Sequence, residues 1–177
     1  MHFLSSILEQ YIADHSQSEP ELLQRLTRET HLKVIQPRMI TGHFQGRVLS
    51  LLSKIISPKN ILEIGTYTGY SAICLAEGLQ KEGALHTIDI NEELHAIQRR
   101  YFDESGYGPR IMQHTGDALE IIPQLEVVFD MVFIDAEKVS YDQYFEAALK
   151  KCRPGSVILS DNVLWSGKVV EPLDPKD

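Results

Sequence analysis

The sequence predicts an α/β protein: a doubly wound, mostly parallel sheet with helices on both faces, preceded by N-terminal helices. Three observations predict it. From residue 61 onward, short apolar runs alternate with amphipathic stretches, the pattern of parallel strands joined by right-handed helical crossovers. Before residue 58, apolar residues recur at helical spacing instead. A length of 177 residues with 43% hydrophobic content suits one domain with a sizeable core. The chain therefore reads as one unit, 1–177, with helices over 1–57 and the sheet core over 58–177.

The N-terminal part holds three helical patterns. Phe3, Leu4, Ile7, Leu8, Tyr11 and Ile12 share one helical side. Ser18 and Glu21 have the spacing of a capping box, and Pro20 suits a first turn, so a second helix starts there. Leu22, Leu23 and Leu26 are its apolar side. Pro37 breaks the pattern. Gly42 to Gly46 reads as a loop or the start of a helix. Phe44, Val48, Leu49, Leu52, Ile55 and Ile56 then form a third helix, ended by Pro58. This helical part is expected to pack on the sheet or on a partner subunit.

The sheet core follows in order. A first strand over 61–64 leads through Gly65 and Gly69 to a helix over 71–80. A second strand, 84–88, ends at Asp89 and precedes a helix over 92–104. A weak third strand, 110–114, is followed by Gly116-Asp117-Ala118 and a short helix to 125. The fourth strand, 129–134, ends at Asp135. A helix over 141–152 carries Tyr144, Phe145, Ala148 and Leu149. Pro154-Gly155 reads as a turn, and the fifth strand, 156–160, ends at Asp161-Asn162. The last residues, Pro172 to Asp177, are polar and hold no closing strand. An apolar fifth strand left at an edge is a liability, so the chain is expected to be cut short relative to its natural form.

The formal charge of −8 argues against a nucleic-acid partner, whose binder would usually be basic. No apolar run approaches the ~20 residues of a membrane span, and the early acidic and polar residues do not form a signal peptide. Cys74 and Cys152 fall in predicted helices with no motif around them. They read as reduced and structural, which favours a cytoplasmic setting.

Parallel strands place their carboxyl ends along one edge, where ligands bind. Every strand here brings polar groups to that edge: Glu63 with the Gly turn, Asp89, Asp117, Asp135 with Lys138, and Asp161 with Asn162. One acid after a strand is an ordinary turn residue; one at every strand end is not. Asp89 lies ~20 residues after the Gly turn, as an acid that bonds a ribose diol does. The turn is Gly-x-x-x-Gly, without the G-x-G-x-x-G spacing, and Thr66, Tyr67 and Thr68 fill it. A nucleoside without phosphates fits better than a dinucleotide.

Asp135, Asp161 and Asn162 make an all-oxygen set of the kind hard ions such as Mg²⁺, Ca²⁺ or Mn²⁺ prefer. Three protein oxygens leave about half an octahedral shell for a substrate. The other reading of Asp161-Asn162 is a plain turn cap. Lys138 follows Asp135 by three residues. Beside a cation its pKa would fall, which suits a general base; away from one it is a solvated surface lysine. Trp165 reads as a wall of a planar substrate pocket or as packing. The seven histidines lack H-E-x-x-H spacing, Ser71 lacks a G-x-S-x-G elbow, and no G-K-[ST] follows the Gly turn.

These residues resemble a known family. Glu63-Ile-Gly65-Thr-Tyr67-Thr-Gly69-Tyr-Ser71 is similar to the S-adenosylmethionine motif of class I methyltransferases. Phe133-Ile-Asp135-Ala-Glu-Lys138 with Tyr141, and Asp161-Asn162-Val-Leu-Trp165-Ser-Gly167, resemble the cation-dependent O-methyltransferases, the caffeoyl-CoA and catechol group. The resemblance runs over residues 35–170. Ala136 and Glu137 between the metal aspartate and the lysine bring it nearer the caffeoyl-CoA-like and bacterial members.

The resemblance implies a Rossmann-like fold with a seven-stranded sheet, often in a homodimer. The family continues two strands past the Asp161-Asn162 motif. It implies S-adenosylmethionine and Mg²⁺ (or Ca²⁺ or Mn²⁺) as cofactors. Glu63, Gly65, Tyr67 and Ser71 would hold the methionine end, Asp89 the ribose hydroxyls, and Asp117 and Ala118 would lie at the adenine. Gly69, Ile90 and Asp135 join this cofactor set, and Met39 and Thr41 align with a segment that covers the site. Asp135, Asp161 and Asn162 would bind the metal, with Lys138 as base. The implied acceptor is a catechol-like small molecule or an acyl-CoA ester, with no nucleic acid and no membrane. Two other readings stand beside it: a nicotinamide-dependent oxidoreductase on the same fold, and a non-catalytic ligand-binding or dimerisation module.

Overall fold

The computed structural model describes residues 5–170. Phe3, Leu4 and the polar segment 172–177 lie outside the described residues, as does the side chain of Trp165. Five strands form one sheet: β1 (Asn60–Ile64), β2 (Ala84–Asp89), β3 (Ile111–Thr115), β4 (Phe129–Ile134) and β5 (Cys152–Ser160). Every pairing is parallel, in the order β3-β2-β1-β4-β5. The chain winds outward in one direction from β1 to β3 and in the other from β4 to β5. The direction switches between β1 and β4, and the crevice at their carboxyl ends is where such sheets bind ligands.

Helices cover both faces, as expected. On one side lie α2 (Glu21–Lys33), α3 (His43–Ile56), α4 (Tyr70–Ala76) and α5 (His95–Glu104). Leu26, Leu49, Leu75 and Phe102 from these helices bury Ile61, Leu85, Ile111 and Met131 of the sheet. On the other side α6 (Ala118–Ile121) and α7 (Tyr141–Leu149) place Ala118 and Ala148 on Leu62, Ile64, Ile88, Val132 and Ile134. Burial on both faces is why these strands read as continuous apolar runs rather than as alternation. A further helix, α1 (Ser6–Asp14), precedes them. No helix among the described residues is long and apolar enough to cross a membrane.

Local expectations differ from the structure in three places. The capping box of Ser18 and Glu21 does not form: α2 starts at Glu21 with Pro20 as its cap and no side-chain bond. The preceding segment is tied elsewhere, since the Tyr70 hydroxyl donates to Glu19 Oε1 at 2.6 Å. The helix expected over 71–80 stops at Ala76. There Glu77 bonds Arg47, Ser50 and Lys54 of α3, and a Cβ on Gly78 would lie 2.2 Å from the backbone of Ser53. The close crossing of α3 and α4 thus ends the helix.

The third difference is at β5. The expected turn Pro154-Gly155 lies inside the strand as a bulge, and Cys152 opens the strand rather than closing a helix. Cys152 pairs with Phe129 and Val157 with Met131, so the residues between bulge outward. Ser156 Oγ closes the bulge by accepting from Arg153 N at 3.0 Å and donating to the Phe129 carbonyl at 2.7 Å. Bulges of this kind bend a strand without ending its pairing. Both cysteines are free, Cys74 buried and Cys152 half-buried.

Candidate active site

The register puts Ile64, Ile88, Ile134 and Ser160 at one level of the sheet. The next residue on each strand, or the residue that closes it, therefore stands on a common edge. Backbone bonds extend the ladder across that edge: Gly65 N donates to Ile88 O, Asp135 N to Ile64 O and Asp161 N to Ile134 O, each at 2.9 Å. Gly65 sits at φ 99°, and a Cβ there would lie 2.0 Å from the Asp135 carbonyl. Only glycine lets the ends of β1 and β4 approach this closely.

On the β1–β2 side, Asp89 is held by two backbone donors. Tyr67 N reaches Oδ2 at 2.6 Å and Asn91 N reaches Oδ1 at 2.8 Å. Tyr67 adopts a left-handed φ of 48°. Its hydroxyl donates to the carbonyls of Ile35 and Gln36 at 3.1 and 3.2 Å, which pins the segment before Met39 and Thr41 over the turn. Glu63 is 0% exposed. Its Oε2 accepts from Thr87 Oγ1 at 2.5 Å, and Thr66 Oγ1 is 2.5 Å from the same hydroxyl. Its Oε1 has no hydrogen-bond partner among the described residues. Burial pushes the Glu63 carboxyl up to about 8, against the pull of the Ser71 and Thr87 hydroxyls.

On the β4–β5 side, Asp135 and Asp161 are neighbours. Burial, and then the charge of Asp161, raise the Asp135 carboxyl above its ordinary range, while Lys138 pulls it down. Lys138 Nζ reaches Asp135 Oδ1 at 3.3 Å and also donates to the Tyr141 hydroxyl. That hydroxyl donates onward to the Ile134 carbonyl at 3.2 Å. Asp161 Oδ2 accepts from Gln45 Nε2 at 2.7 Å, and Oδ1 accepts from Asn162 N at 2.6 Å. Asn162 is left-handed, at φ 53°.

One open cleft of about 1660 Å³ joins the two sides. Met39, Thr41, Gly65, Tyr67, Ser71, Asp89, Ile90, Asp117, Ala118, Asp135, Lys138, Asp161 and Asn162 all line it. Two expected site residues stand behind the wall. Glu63 is buried beneath it, and Gly69 packs so tightly that a Cβ would lie 2.5 Å from the Phe102 ring. Asp117 also serves as a helix cap, its Oδ1 accepting from Leu119 N at 2.8 Å. Sequence reasoning missed Gln45, which bonds a carboxylate 116 residues away; no local pattern signals such a contact. The bond from Lys138 to Tyr141 follows from three-residue spacing and was open to reading.

Comparisons with known proteins identify the family. A model of the O-methyltransferase family matches residues 13–177. The catechol O-methyltransferase of Niastella koreensis is 37% identical over 93% of this chain and 76% of its own length. Caffeoyl-CoA O-methyltransferase 2 of Zea mays is 38% identical over 96% of this chain and 67% of its own. Among solved structures, the O-methyltransferase TomG of Streptomyces achromogenes, involved in tomaymycin synthesis and in complex with SAM, has a TM-score of 0.90. It is 36% identical and spans 96% of this chain and 77% of that one. The Bacillus cereus O-methyltransferase in complex with SAH has a TM-score of 0.89 at 35% identity, spanning 96% of this chain and 80% of that one.

Proposed function

The chain belongs to the O-methyltransferase family, and on that premise we propose that it methylates one hydroxyl of a catechol-like vicinal diol with the help of a divalent cation. As a member it is an S-adenosylmethionine-dependent enzyme, which sets aside the nicotinamide and non-catalytic readings. The observation that carries the finer proposal is the pair of adjacent carboxylates, Asp135 and Asp161, facing the same cleft as Asp89.

The residues fit both groups. Asp89 keeps lone pairs free beyond its two backbone bonds, as a ribose-binding acid requires. Ser71, Gly65 and Tyr67 line the cleft beside it and would receive the methionine end. Ala118 and Asp117, which line the cleft, would lie at the adenine. S-adenosylmethionine supplies the methyl group on its sulfonium. Asp135, Asp161 and the amide oxygen of Asn162 would hold the cation. Among the described residues no group of three or more His, Cys, Asp or Glu gathers. Two carboxylates and an amide thus leave room for a substrate's oxygens. When bound, a divalent cation there supplies positive charge that favours ionisation of the acceptor hydroxyl.

Lys138 Nζ would accept the hydroxyl proton. Tyr141 and Asp135 hold that nitrogen at the cleft wall. The segment with Met39 and Thr41, anchored through Tyr67, lines the cleft and would cover a bound cofactor and acceptor there. A single catalytic domain, a cytoplasmic setting and a homodimer complete the proposal. The free cysteines support the setting, and the exposed Phe44, Val48, Leu51 and Ile55 on α3 support the dimer.

The test is a methyl-transfer assay with S-adenosylmethionine and a panel of catechols, lone phenols and acyl-CoA esters. Vicinal diols are expected to be methylated with Mg²⁺ and not in EDTA. Equal transfer to lone phenols, or full transfer in EDTA, would rule the proposal out.

A further inference from the structure

Gln98, in the middle of α5, is 3% exposed and is not one of the residues that line the cleft. Its side chain nevertheless ends at the turn. Nε2 donates to the Tyr67 carbonyl at 2.6 Å, and Oε1 accepts from Gln113 Nε2 at 2.8 Å. Gln113 on β3 is held in turn by the His95 carbonyl at 3.2 Å. A buried amide so placed uses one donor and one acceptor in opposite directions. Glutamate lacks the donor, and an apolar side chain of the same length lacks both.

Tyr67 needs such support. A bulky residue with a left-handed φ of 48° stays there only where its surroundings impose it. The two peptide units flanking its Cα are each tied down. Gln98 holds the unit after it, and the unit before it donates its N–H to Asp89 Oδ2. Rotation at Tyr67 would therefore carry the Asp89 carboxylate with it.

We infer that Gln98 is a positioning residue for the cofactor's ribose: it fixes Tyr67, and through the Tyr67 N–H it sets the orientation of Asp89. This rests on the reading of Asp89 as the ribose-binding group.

The test compares S-adenosylhomocysteine with its 2′-deoxy and 3′-deoxy analogues by calorimetry, on the wild type and the variants Q98M, Q113L and D89A. The wild type is expected to favour the full ribose roughly tenfold or more, the weight of hydrogen bonds to a charged acceptor. In Q98M that preference collapses, because affinity for the parent ligand falls while affinity for the deoxy analogues stays near its wild-type value. Adding Q98M to D89A changes little more, since both act on one interaction. Q113L removes the support behind Gln98 from a half-buried position, and is expected to lower the preference partway; it decides the matter where Q98M does not fold. A preference retained in Q98M, or in Q113L where only that variant folds, overturns the role of Gln98, as does uniform weakening of all three ligands. No preference in the wild type overturns the Asp89 reading beneath it.

Discussion

At the ends of β1 and β2 the polar groups are held by the protein's own hydrogen bonds. At the ends of β4 and β5 two carboxylates meet, and Lys138 bonds one of them. Asp89 is fixed by two backbone N–H groups, and Glu63 lowers its electrostatic cost by holding its proton up to about pH 8. Asp135 is raised by burial and then by the charge of Asp161, against the opposing pull of Lys138. Gln45 and Asn162 orient Asp161 but carry no charge to offset it. The first half is preorganised for a polar ligand of low charge. The second holds two carboxylates together beside Lys138, which supports the proposed cation.

The halves should therefore fail separately. Asp161→Ala removes one of the facing carboxylates, and turnover is expected to fall about a thousandfold. S-adenosylhomocysteine affinity should stay within about threefold, read by calorimetry, because Asp161 is outside the hydrogen bonds that fix Asp89.

Gly65→Ala strikes the joint between the halves. Its Cβ would meet the Asp135 carbonyl at 2.0 Å on a residue with φ 99°. A loss of about 3 kcal/mol or more in urea unfolding is expected, with both ligand affinities impaired. Normal stability in this variant would mean that the two strand ends do not close on each other as described.

Asp89→Ala is the converse of the first substitution. It should weaken S-adenosylhomocysteine roughly tenfold to a hundredfold and leave Mn²⁺ binding as in the wild type. Equal affinity for the nucleoside ligand would remove Asp89 from the ribose.

The smallest effect is acid sensitivity on the β2–β3 side. His86 Nδ1 and His114 Nε2 are 3.1 Å apart, with ring centroids 5.3 Å apart and planes within 8°. Such a long centroid separation beside so short an N···N contact means parallel rings meeting end to end in a hydrogen bond rather than stacking. Burial, and then the charge of His114, hold His86 down to about 4, below the ordinary 6.5. The native state thus binds fewer protons than the unfolded chain between those values. Stability is complete above about 6.5 and is lost as the pH falls toward 4. Because the ring is partly open to solvent, the loss from pH 7 to 5 should be on the order of 1 kcal/mol. His86→Phe should flatten that part of the urea-midpoint profile.

The sheet edge was legible because each acid there interrupts or ends an apolar run: Glu63, Asp89, Asp135 and Asp161 stand where the periodicity stops. What stayed hidden depends on distance along the chain. Gln45 reaches Asp161, and Gln98 reaches Tyr67 from another helix; no spacing rule connects them. Local signals also yielded to tertiary ones. Pro154-Gly155 has turn chemistry, yet β4 offers partners on both sides of it, so it became a bulge. The box at Ser18 gave way to the bond between Glu19 and Tyr70. Gly69 read as a cofactor glycine from the motif, whereas the structure sets it behind the cleft wall, where a Cβ would meet the Phe102 ring.

We propose that the β4–β5 half holds a divalent cation and the β1–β2 half does not. Titration of Mn²⁺, followed by the loss of its free-ion paramagnetic signal, tests this most directly on the wild type and Asp161→Ala. The expected result is one equivalent bound by the wild type and none by the variant, with S-adenosylhomocysteine bound by both. Equal Mn²⁺ binding by the two proteins, or none by the wild type, would contradict it.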